Sequence, residues 1–180
     1  MPDDRELVRQ LTAGDAGGLV GIYEKYKDHL LTVACCLLGE LAAAEDVLHD
    51  VFVTLAAGSA RLRIGDNLRG YLVASVANRA RDQLRRVQRG PMVLAEVDDS
   101  VGDAADPLTR LGESEEAGRL HRALAGLPYE QREAITLHLK GEMTFKEVAR
   151  HQAVSINTVQ SRYRYGLDKL RSVLEAGVGI

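Results

Sequence analysis

The stretch TFKEVARHQAVSINTVQSRYRYG, residues 144–166, decides the fold of this chain. Thr144 and Glu147 have the spacing of a capping box, in which each side chain accepts the other residue's backbone amide at the start of a helix. Ser155 can cap a second helix that continues to about residue 173. The residues HQAV between the two helices are enough for a tight turn. The stretch therefore predicts a helix-turn-helix.

The second of these helices has two chemically different sides. Its predicted inward stripe is Ile156, Val159, Tyr163, Leu167 and Leu170, at helical spacing. On the other side, amides can pair with adenine, arginines with guanine, and hydroxyls with phosphate or base edges. The residues predicted to contact DNA are Ser155, Asn157, Thr158, Gln160, Ser161, Arg162 and Arg164. Spacing alone leaves open the alternative of a solvated face on an ordinary helical hairpin.

The remaining sequence predicts an all-α fold. Aromatic residues make up only 4% of the chain, whereas Ala, Leu, Arg and Glu are plentiful. Residues 90–113 are rich in Asp, Gly and Pro and have no sustained apolar period, which indicates a linker. We therefore predict two small helical domains, residues 1–90 and 120–180, joined by a flexible acidic linker over residues 91–119.

Apolar residues at helical spacing also predict where each helix is buried. The expected faces include Tyr23 in a helix over 19–37, residues Val47 to Leu55 in a second helix, and Leu72 to Val87 in a third. Asp66 or Asn67 is expected to cap the third helix. In the second domain, we expect Leu120 to belong to one helix, Leu139 to be buried in the next, and Pro128 to take the first position of that second helix, which ends at Gly141.

Charge is segregated along the chain. The net charge is −3, but residues 59–90 contain eight arginines against two aspartates, and residues 91–119 contain eight acidic residues against two arginines. Such segregation predicts separate contact surfaces, one of them suited to nucleic acid.

Composition and motifs argue against several function classes. No run of about 18 apolar residues is present, and the acidic start MPDDRELVRQ is not a secretory signal, so we expect a cytoplasmic protein without membrane insertion. The adjacent Cys35 and Cys36 are expected to be small core residues. The motif DVLH, residues 46–49, has no second copy, and no zinc, P-loop or dinucleotide motif occurs. We therefore predict no metal, no cofactor and no catalysis by this chain.

Two blocks of sequence resemble a known family. ALAGLPYEQREAITLHLKGEMTFKEVARHQAVSINTVQSRYRYGLDKLR, residues 123–171, is similar to region 4 of bacterial RNA polymerase sigma factors of the extracytoplasmic-function (ECF) type, within the sigma-70 family. AAAEDVLHDVFVTL, residues 42–55, and DNLRGYLVASVANRARDQLRR, residues 66–86, are similar to region 2. The resemblance implies a sigma factor that directs core polymerase to promoters and recognises their minus-ten and minus-thirty-five elements.

The resemblance also implies partners. Region 2 of the family docks on the β′ clamp helices, and region 4 meets the β flap, so RNA polymerase core and promoter DNA are the expected partners, with an anti-sigma factor as a family expectation. The residues that match the core-binding helix are Asp46, His49, Asp50 and Val53. An acidic patch edged by an apolar residue suits a basic partner helix. The alternative is a solvated helix face.

Minus-ten recognition and melting are implied for the next helix and the loop before it. The loop residues Arg61, Arg63, Gly65, Asp66 and Asn67 would capture a flipped base. On the helix, the implied DNA-binding residues are Tyr71, Asn78, Arg79, Arg81, Arg85 and Arg86, with Arg89 continuing the stripe. Tyr71 stands where the family often has Trp, Gln160 where Lys is common, and Tyr165 where a basic residue is common.

Two rival functions remain at this point. A helix-turn-helix regulator would bind operator DNA on its own, as a dimer on two half-sites. A helical adaptor would bind protein only. For the acidic linker, a solvated tether and a mimic of nucleic acid near the RNA exit path are both open.

Overall fold

The computed structural model describes residues 3–58, 67–89 and 115–176, and these are helical with no strand among them. In chain order, the described helices are α1 (Asp4–Thr12), α2 (Ala16–Leu38), α3 (Leu41–Gly58), α4 (Leu68–Arg89), α5 (Glu115–Ala125), α6 (Tyr129–Leu139), α7 (Phe145–Gln152) and α8 (Ile156–Ala176). The predicted all-α class is confirmed. The predicted linker, residues 91–119, lies outside the described residues up to residue 114; its last five residues, 115–119, are helical and begin α5.

Helices α1–α4 form the first bundle, with α2 packed against each of the other three. Its core contains Ile22, Leu30, Val51 and Leu72, each nearly or fully buried. Gly18 permits the closest approach, because a Cβ at this position would lie 2.4 Å from the backbone nitrogen of Leu11. Any larger residue would therefore force α1 away from α2.

Helix α1 was not predicted from the sequence. Its buried residues, Leu7 and Leu11, are four apart and cover one turn of α2. Asp4 fixes its start, because the carboxylate accepts hydrogen bonds from Lys25 at 2.8 Å and from the Tyr26 hydroxyl at 2.7 Å. Burial raises the pKa of Asp4, but these two hydrogen bonds outweigh it and lower the pKa below its ordinary value.

Helices α5–α8 form the second bundle, which contains the predicted helix-turn-helix as α7 and α8. Both halves of the capping box are present: the Thr144 hydroxyl accepts the Glu147 amide at 3.3 Å, and the Glu147 carboxylate accepts the Thr144 amide at 2.8 Å. The Ser155 hydroxyl accepts the Thr158 amide at 3.1 Å and so caps α8 as predicted. Between the two helices, Ala153 adopts a left-handed conformation, with φ of 54°.

The two bundles pack against each other, which the sequence did not predict. Helix α2 contacts α5 and α6, and α4 contacts α6. Leu137, Met143 and Val148 of the second bundle belong to the same apolar cluster as Leu72 and Val73 of the first. Cys35 and Cys36 are buried, as predicted, and are not joined in a disulfide; Cys36 packs among residues of α5, α6 and α8.

Several expectations about burial and helix ends were wrong. The side chains of Tyr23, Val87, Leu139 and Ile156 were expected inside and are exposed. They lie near helix ends or at the edge of an apolar stripe, where helical spacing does not predict whether another helix covers the side chain. Pro128 is the residue before α6 rather than its first residue, and α6 ends at Leu139, two residues before Gly141. Asp66 lies outside the described residues. Asn67 caps α4, because its Oδ1 accepts the Gly70 amide at 2.8 Å.

Candidate nucleic-acid and polymerase interfaces

The start of α8 presents a row of polar side chains. Asn157, Gln160 and Arg164 are exposed and spaced i, i+3 and i+7, so they share one side of the helix. Thr158 and Ser161 are partly buried beside this row. Arg164 also lies over the Tyr165 ring, with the guanidinium carbon 5.2 Å from the ring centroid. The row carries amide, hydroxyl and guanidinium donors that fit the edges of bases in a major groove.

Arg162 differs from the other predicted DNA-contacting residues. Its Nη1 donates a 2.7 Å hydrogen bond to Oε1 of Gln152, at the end of α7. Gln152 in turn donates to the Glu133 carboxylate at 2.9 Å. In this arrangement Arg162 joins α8 to α7 and α6.

The polar residues of α4 point in three directions rather than along one stripe. Tyr71, Asn78, Arg85 and Arg86 are exposed. Arg79 turns towards α3 and donates to the Thr54 hydroxyl at 2.8 Å. Arg81 turns towards α6 and bonds the Glu133 carboxylate at 2.6 Å. Asp66, Arg61, Arg63 and Gly65 lie outside the described residues, as does the side chain of Arg89.

Glu133 is the centre of a buried polar network that sequence reasoning missed. Its side chain is fully buried and accepts hydrogen bonds from Arg81, from Gln152 and from the Tyr129 hydroxyl at 3.1 Å, with His151 Nε2 at 3.4 Å. Burial raises the pKa of Glu133, but the hydrogen bonds from His151 and Arg81 outweigh this and lower it below the ordinary value. The carboxylate is therefore charged at neutral pH. The signal available beforehand was a Glu at a position flanked by core residues.

The predicted core-binding residues share one side of α3. Asp46, His49 and Asp50 are exposed, and Val53 is 51% exposed at the end of the row. Together with Arg79, Asp82 and Arg86 of α4, the three polar residues line a cleft of about 350 Å³. The cleft places an acidic helix face directly beside the basic residues of α4.

The second bundle carries an apolar groove. Its volume is about 480 Å³, and it is lined mainly by leucines of α5, α6 and α8, with Lys140, Arg171 and Glu175 at the rim. Leu120 and Leu139 are exposed there, and for Leu139 this replaces the burial predicted from the sequence. An exposed apolar groove with a charged rim is the form that takes a partner helix.

Neither a membrane span nor a metal site is found in the part of the chain that the structure describes. No helix there is long and apolar enough to cross a bilayer, and no group of three or more His, Cys, Asp or Glu side chains is arranged to hold a metal ion.

Family models match both bundles. The model for sigma-70 region 2 matches residues 22–90, which include most of α2 and all of α3 and α4, and the model for sigma-70 region 4 matches residues 117–170, which include most of α5–α8. The two matches occur in the order predicted from the sequence, and together they cover well over half of the chain.

Characterised relatives agree with these matches. The chain is 29% identical to the ECF RNA polymerase sigma factor SigM of Mycobacterium tuberculosis, over 98% of this chain and 89% of that protein. It is 22% identical to the ECF RNA polymerase sigma factor SigW of Bacillus subtilis, over 94% of this chain and 96% of that protein.

Two solved structures share the fold. One is CnrH in complex with the cytosolic domain of CnrY, with a TM-score of 0.68, 22% identity, and coverage of 96% of this chain and 97% of that one. The other is the sigma factor RpoE in complex with the anti-sigma factor NepR from Bartonella quintana, with a TM-score of 0.65, 24% identity, and coverage of 86% and 97%.

The fold, the two matched regions and the relatives define a bacterial transcription initiation factor. The chain belongs to the sigma-70 family and is an ECF sigma factor, which directs RNA polymerase to promoters. The alternative of a regulator that binds operator DNA on its own is not favoured, because it leaves the region 2 match without a role.

Proposed function

We propose that α8 reads the minus-thirty-five element in the major groove. The exposed row of Asn157, Gln160 and Arg164 at the capped start of the helix is the observation that carries this assignment. Ser155, Thr158 and Ser161 lie beside the row and are placed for phosphate or base contacts. Arg162 can contact DNA only after its hydrogen bond to Gln152 breaks, so we assign it a secondary role.

The minus-ten element is assigned to α4 and its cap. Asn78, Arg85 and Arg86 are exposed on this helix and suit the phosphates of a separated strand, and the exposed Tyr71 can stack on a base. Arg79 and Arg81 belong to the same assignment, although both are engaged by neighbouring helices here. Asn67 and Asp66 remain the proposed partners of a flipped base.

Two further surfaces are assigned to the polymerase. The acidic face of α3, formed by Asp46, His49, Asp50 and Val53, suits the basic β′ clamp helices. The apolar groove of the second bundle suits the β flap, because it offers leucines to an amphipathic segment.

The proposal also covers regulation and location. We assign no catalytic activity to this chain, because the polymerase carries out the chemistry of transcription. The place of action is the cytoplasm, where the polymerase works. The solved relative RpoE is bound by an anti-sigma factor, and we propose a partner of that kind for this chain.

Run-off transcription with purified core polymerase tests the proposal. Core plus this protein should start transcripts at defined sites on genomic fragments, and core alone should not. The protein alone should not shift a palindromic duplex. Stable binding to such a duplex, without any polymerase-dependent start site, would support an operator-binding regulator instead.

A further inference from the structure

A polar cleft lies beside the buried Glu133, between α4 and helices of the second bundle. Its volume is about 330 Å³, near the lower end of the range for sites that hold small molecules. Among the residues that the structure describes, the charged side chains that line it are Arg81, Arg85, Arg132, Arg162, Glu130 and Glu133. Four guanidiniums against two carboxylates leave this described lining with an excess of two positive charges.

The carboxylate of Glu133 compensates only one of these arginines. Its Oε2 accepts hydrogen bonds from Arg81 at 2.6 Å and from Gln152 at 2.9 Å. Its Oε1 accepts the Tyr129 hydroxyl at 3.1 Å and lies 3.4 Å from His151 Nε2. A carboxylate offers about four acceptor positions, so these four partners use the whole capacity of Glu133. A second guanidinium cannot be satisfied there.

Arg132 is buried next to Glu133 in the sequence without sharing its charge. Arg132 is 9% exposed, its Nε has no hydrogen-bond partner, and its guanidinium carbon lies 5.5 Å from the centre of the Tyr129 ring. Burial lowers the pKa of Arg132, because the guanidinium loses water without gaining an anion in exchange. A guanidinium stays charged in proteins, so this buried charge calls for a negative partner.

Two further arginines bring charge to the same cleft. Arg162 of α8 donates to the Gln152 side chain at 2.7 Å, but that amide is neutral and leaves the charge of Arg162 uncompensated. Arg85 of α4 is exposed. Guanidiniums from α4, α6 and α8 therefore line one small cleft. Their planar, multiple donors match the oxygens of a phosphate group, which can accept two parallel hydrogen bonds from one guanidinium.

We propose that this cleft binds a small multivalent phosphate anion, such as the polyphosphate part of a nucleotide. A ligand with two or more negative charges balances the excess positive charge and supplies the acceptors that Glu133 lacks. The inference goes beyond promoter recognition, because it concerns the protein without polymerase or DNA. It includes Arg132, which is not assigned to DNA, although the other three arginines also belong to the proposed DNA-binding surfaces.

Isothermal titration calorimetry of the full chain with inorganic tripolyphosphate tests the site. We expect saturable binding of one anion per chain at about 0.15 M salt, where exposed charges are screened beyond roughly 8 Å. Sodium sulfate at the same ionic strength should give no comparable binding. A parallel titration with adenosine triphosphate, without divalent metal, distinguishes the two sources of the same chemistry, a nucleotide and a free polyphosphate.

Variants locate the binding in the cleft. Arg85→Gln and Arg162→Gln should each weaken binding of the anion about tenfold, because each removes a charge-assisted hydrogen bond. Arg132→Gln should weaken it at least as much, and circular dichroism shows whether this buried variant folds. The exposed Arg85 keeps the test open if it does not. Arg150→Gln is the matched control: it removes the same charge at an exposed position of α7 that does not line the cleft, and binding should be unchanged.

The outcomes separate this inference from the proposed function. The anion site is wrong if neither tripolyphosphate nor adenosine triphosphate binds saturably, if the cleft variants bind like wild type, or if Arg150→Gln weakens binding as much as they do. None of these results affects promoter-directed transcription with core polymerase. If that transcription fails while the anion binds and the cleft variants lose it, the proposed function is wrong and the anion site stands.

Discussion

At the scale of single residues, Glu133 has the largest structural consequence in the described chain. Its buried carboxylate joins α6 to α4 through Arg81 and to the end of α7 through His151 and Gln152. Removing a charge from such a network leaves its partners without compensation, which costs more than any exposed ion pair contributes. The residue therefore links the integrity of the helix-turn-helix to the packing of the two bundles.

Glu133→Gln should lower the free energy of unfolding by about 2 kcal/mol. This is less than the roughly 3–5 kcal/mol expected for a fully buried pair, because the Arg81 side chain is 24% exposed. Urea denaturation of the full chain at pH 7 measures the loss. The exposed Glu175→Gln is the control and should change stability by less than about 0.5 kcal/mol. A loss equally small for Glu133→Gln would mean that the network contributes little.

The same carboxylate gives a pH dependence of known sign. Because the folded pKa of Glu133 is lower than its ordinary value of 4.5, its contribution is complete above pH 4.5 and is lost as the pH falls through the folded pKa. The difference in stability between wild type and Glu133→Gln should be constant from pH 5 to 7 and shrink below pH 4.5. A difference that grows on acidification would contradict the direction of the shift. Denaturation series at each pH measure this.

Ala153 is the second residue whose conformation has a measurable effect. Ala153 is exposed and directly follows the last residue of α7. Its φ of 54° is a backbone conformation that is unfavourable for any residue with a Cβ. Ala153→Gly should raise the free energy of unfolding by about 0.5–1 kcal/mol, since glycine takes this position without strain. The midpoint of urea denaturation measures it. Ala57→Gly, at an exposed position within α3, should have the opposite effect.

At the scale of the helix, α8 separates residues that the sequence grouped together. Arg164 is exposed, whereas Arg162 is held by Gln152. Arg164→Ala should therefore weaken promoter use by about 1–3 kcal/mol if the guanidinium contacts a base, with no change in stability. Arg162→Ala should lower thermal stability as well. Run-off transcription and thermal unfolding of the two variants distinguish these effects. Unchanged promoter selectivity in both variants would contradict the assignment of α8 as the helix that reads the minus-thirty-five element.

Helix α3 supports a prediction about polymerase capture. Asp50→Lys reverses a charge in the acidic face that we assign to the β′ clamp helices and should weaken binding to core polymerase about tenfold or more. The fold should be unaffected, because Asp50 is exposed. Glu45→Lys makes the same charge change at another exposed position of α3, outside this face. Equal binding of the two variants in a pull-down with core would show that the wrong face was chosen.

At the scale of the whole molecule, the two bundles are held together by contacts between residues that are far apart in the sequence. His29 of α2 illustrates the effect: its Nε2 is buried with no hydrogen-bond partner, and burial first, followed by the nearby Arg69 and Lys140, lowers its pKa, although Glu142 opposes the shift. Because burial disfavours the charged imidazole, the folded chain resists protonation of His29. Stability is therefore lost as the pH falls through its ordinary value of 6.5.

His29→Gln should flatten this part of the pH profile. In wild type, the free energy of unfolding should fall between pH 7.5 and pH 5.5, because the unfolded chain takes up a proton at His29 that the folded chain resists. The variant should show a smaller fall over the same range. His49→Gln, which changes an exposed histidine of α3, is the matched control substitution. Equal slopes for wild type and His29→Gln would contradict this assignment.

The sequence by itself determined the helix-turn-helix, the capping residues Thr144, Glu147 and Ser155, the apolar stripe of α3 and, except for Ile156, that of α8. These features depend on neighbours within about four positions, where helical geometry fixes the distances. Helix α1 has the same local signal in Leu7 and Leu11, but it is short and lies next to glycines, so it was missed. The residues of α8 proposed to contact DNA were also selected by local spacing, whereas those of α4 followed from the family resemblance.

Only the tertiary structure decided where those residues point. Arg79, Arg81 and Arg162 look alike along the chain, yet one reaches α3, one reaches the buried Glu133 and one reaches α7. Pairing across 52 positions, as between Arg81 and Glu133, leaves no periodic trace in the sequence. The physical reason is that a charged side chain is directed by the partner that compensates its burial, and that partner is set by the packing of whole helices.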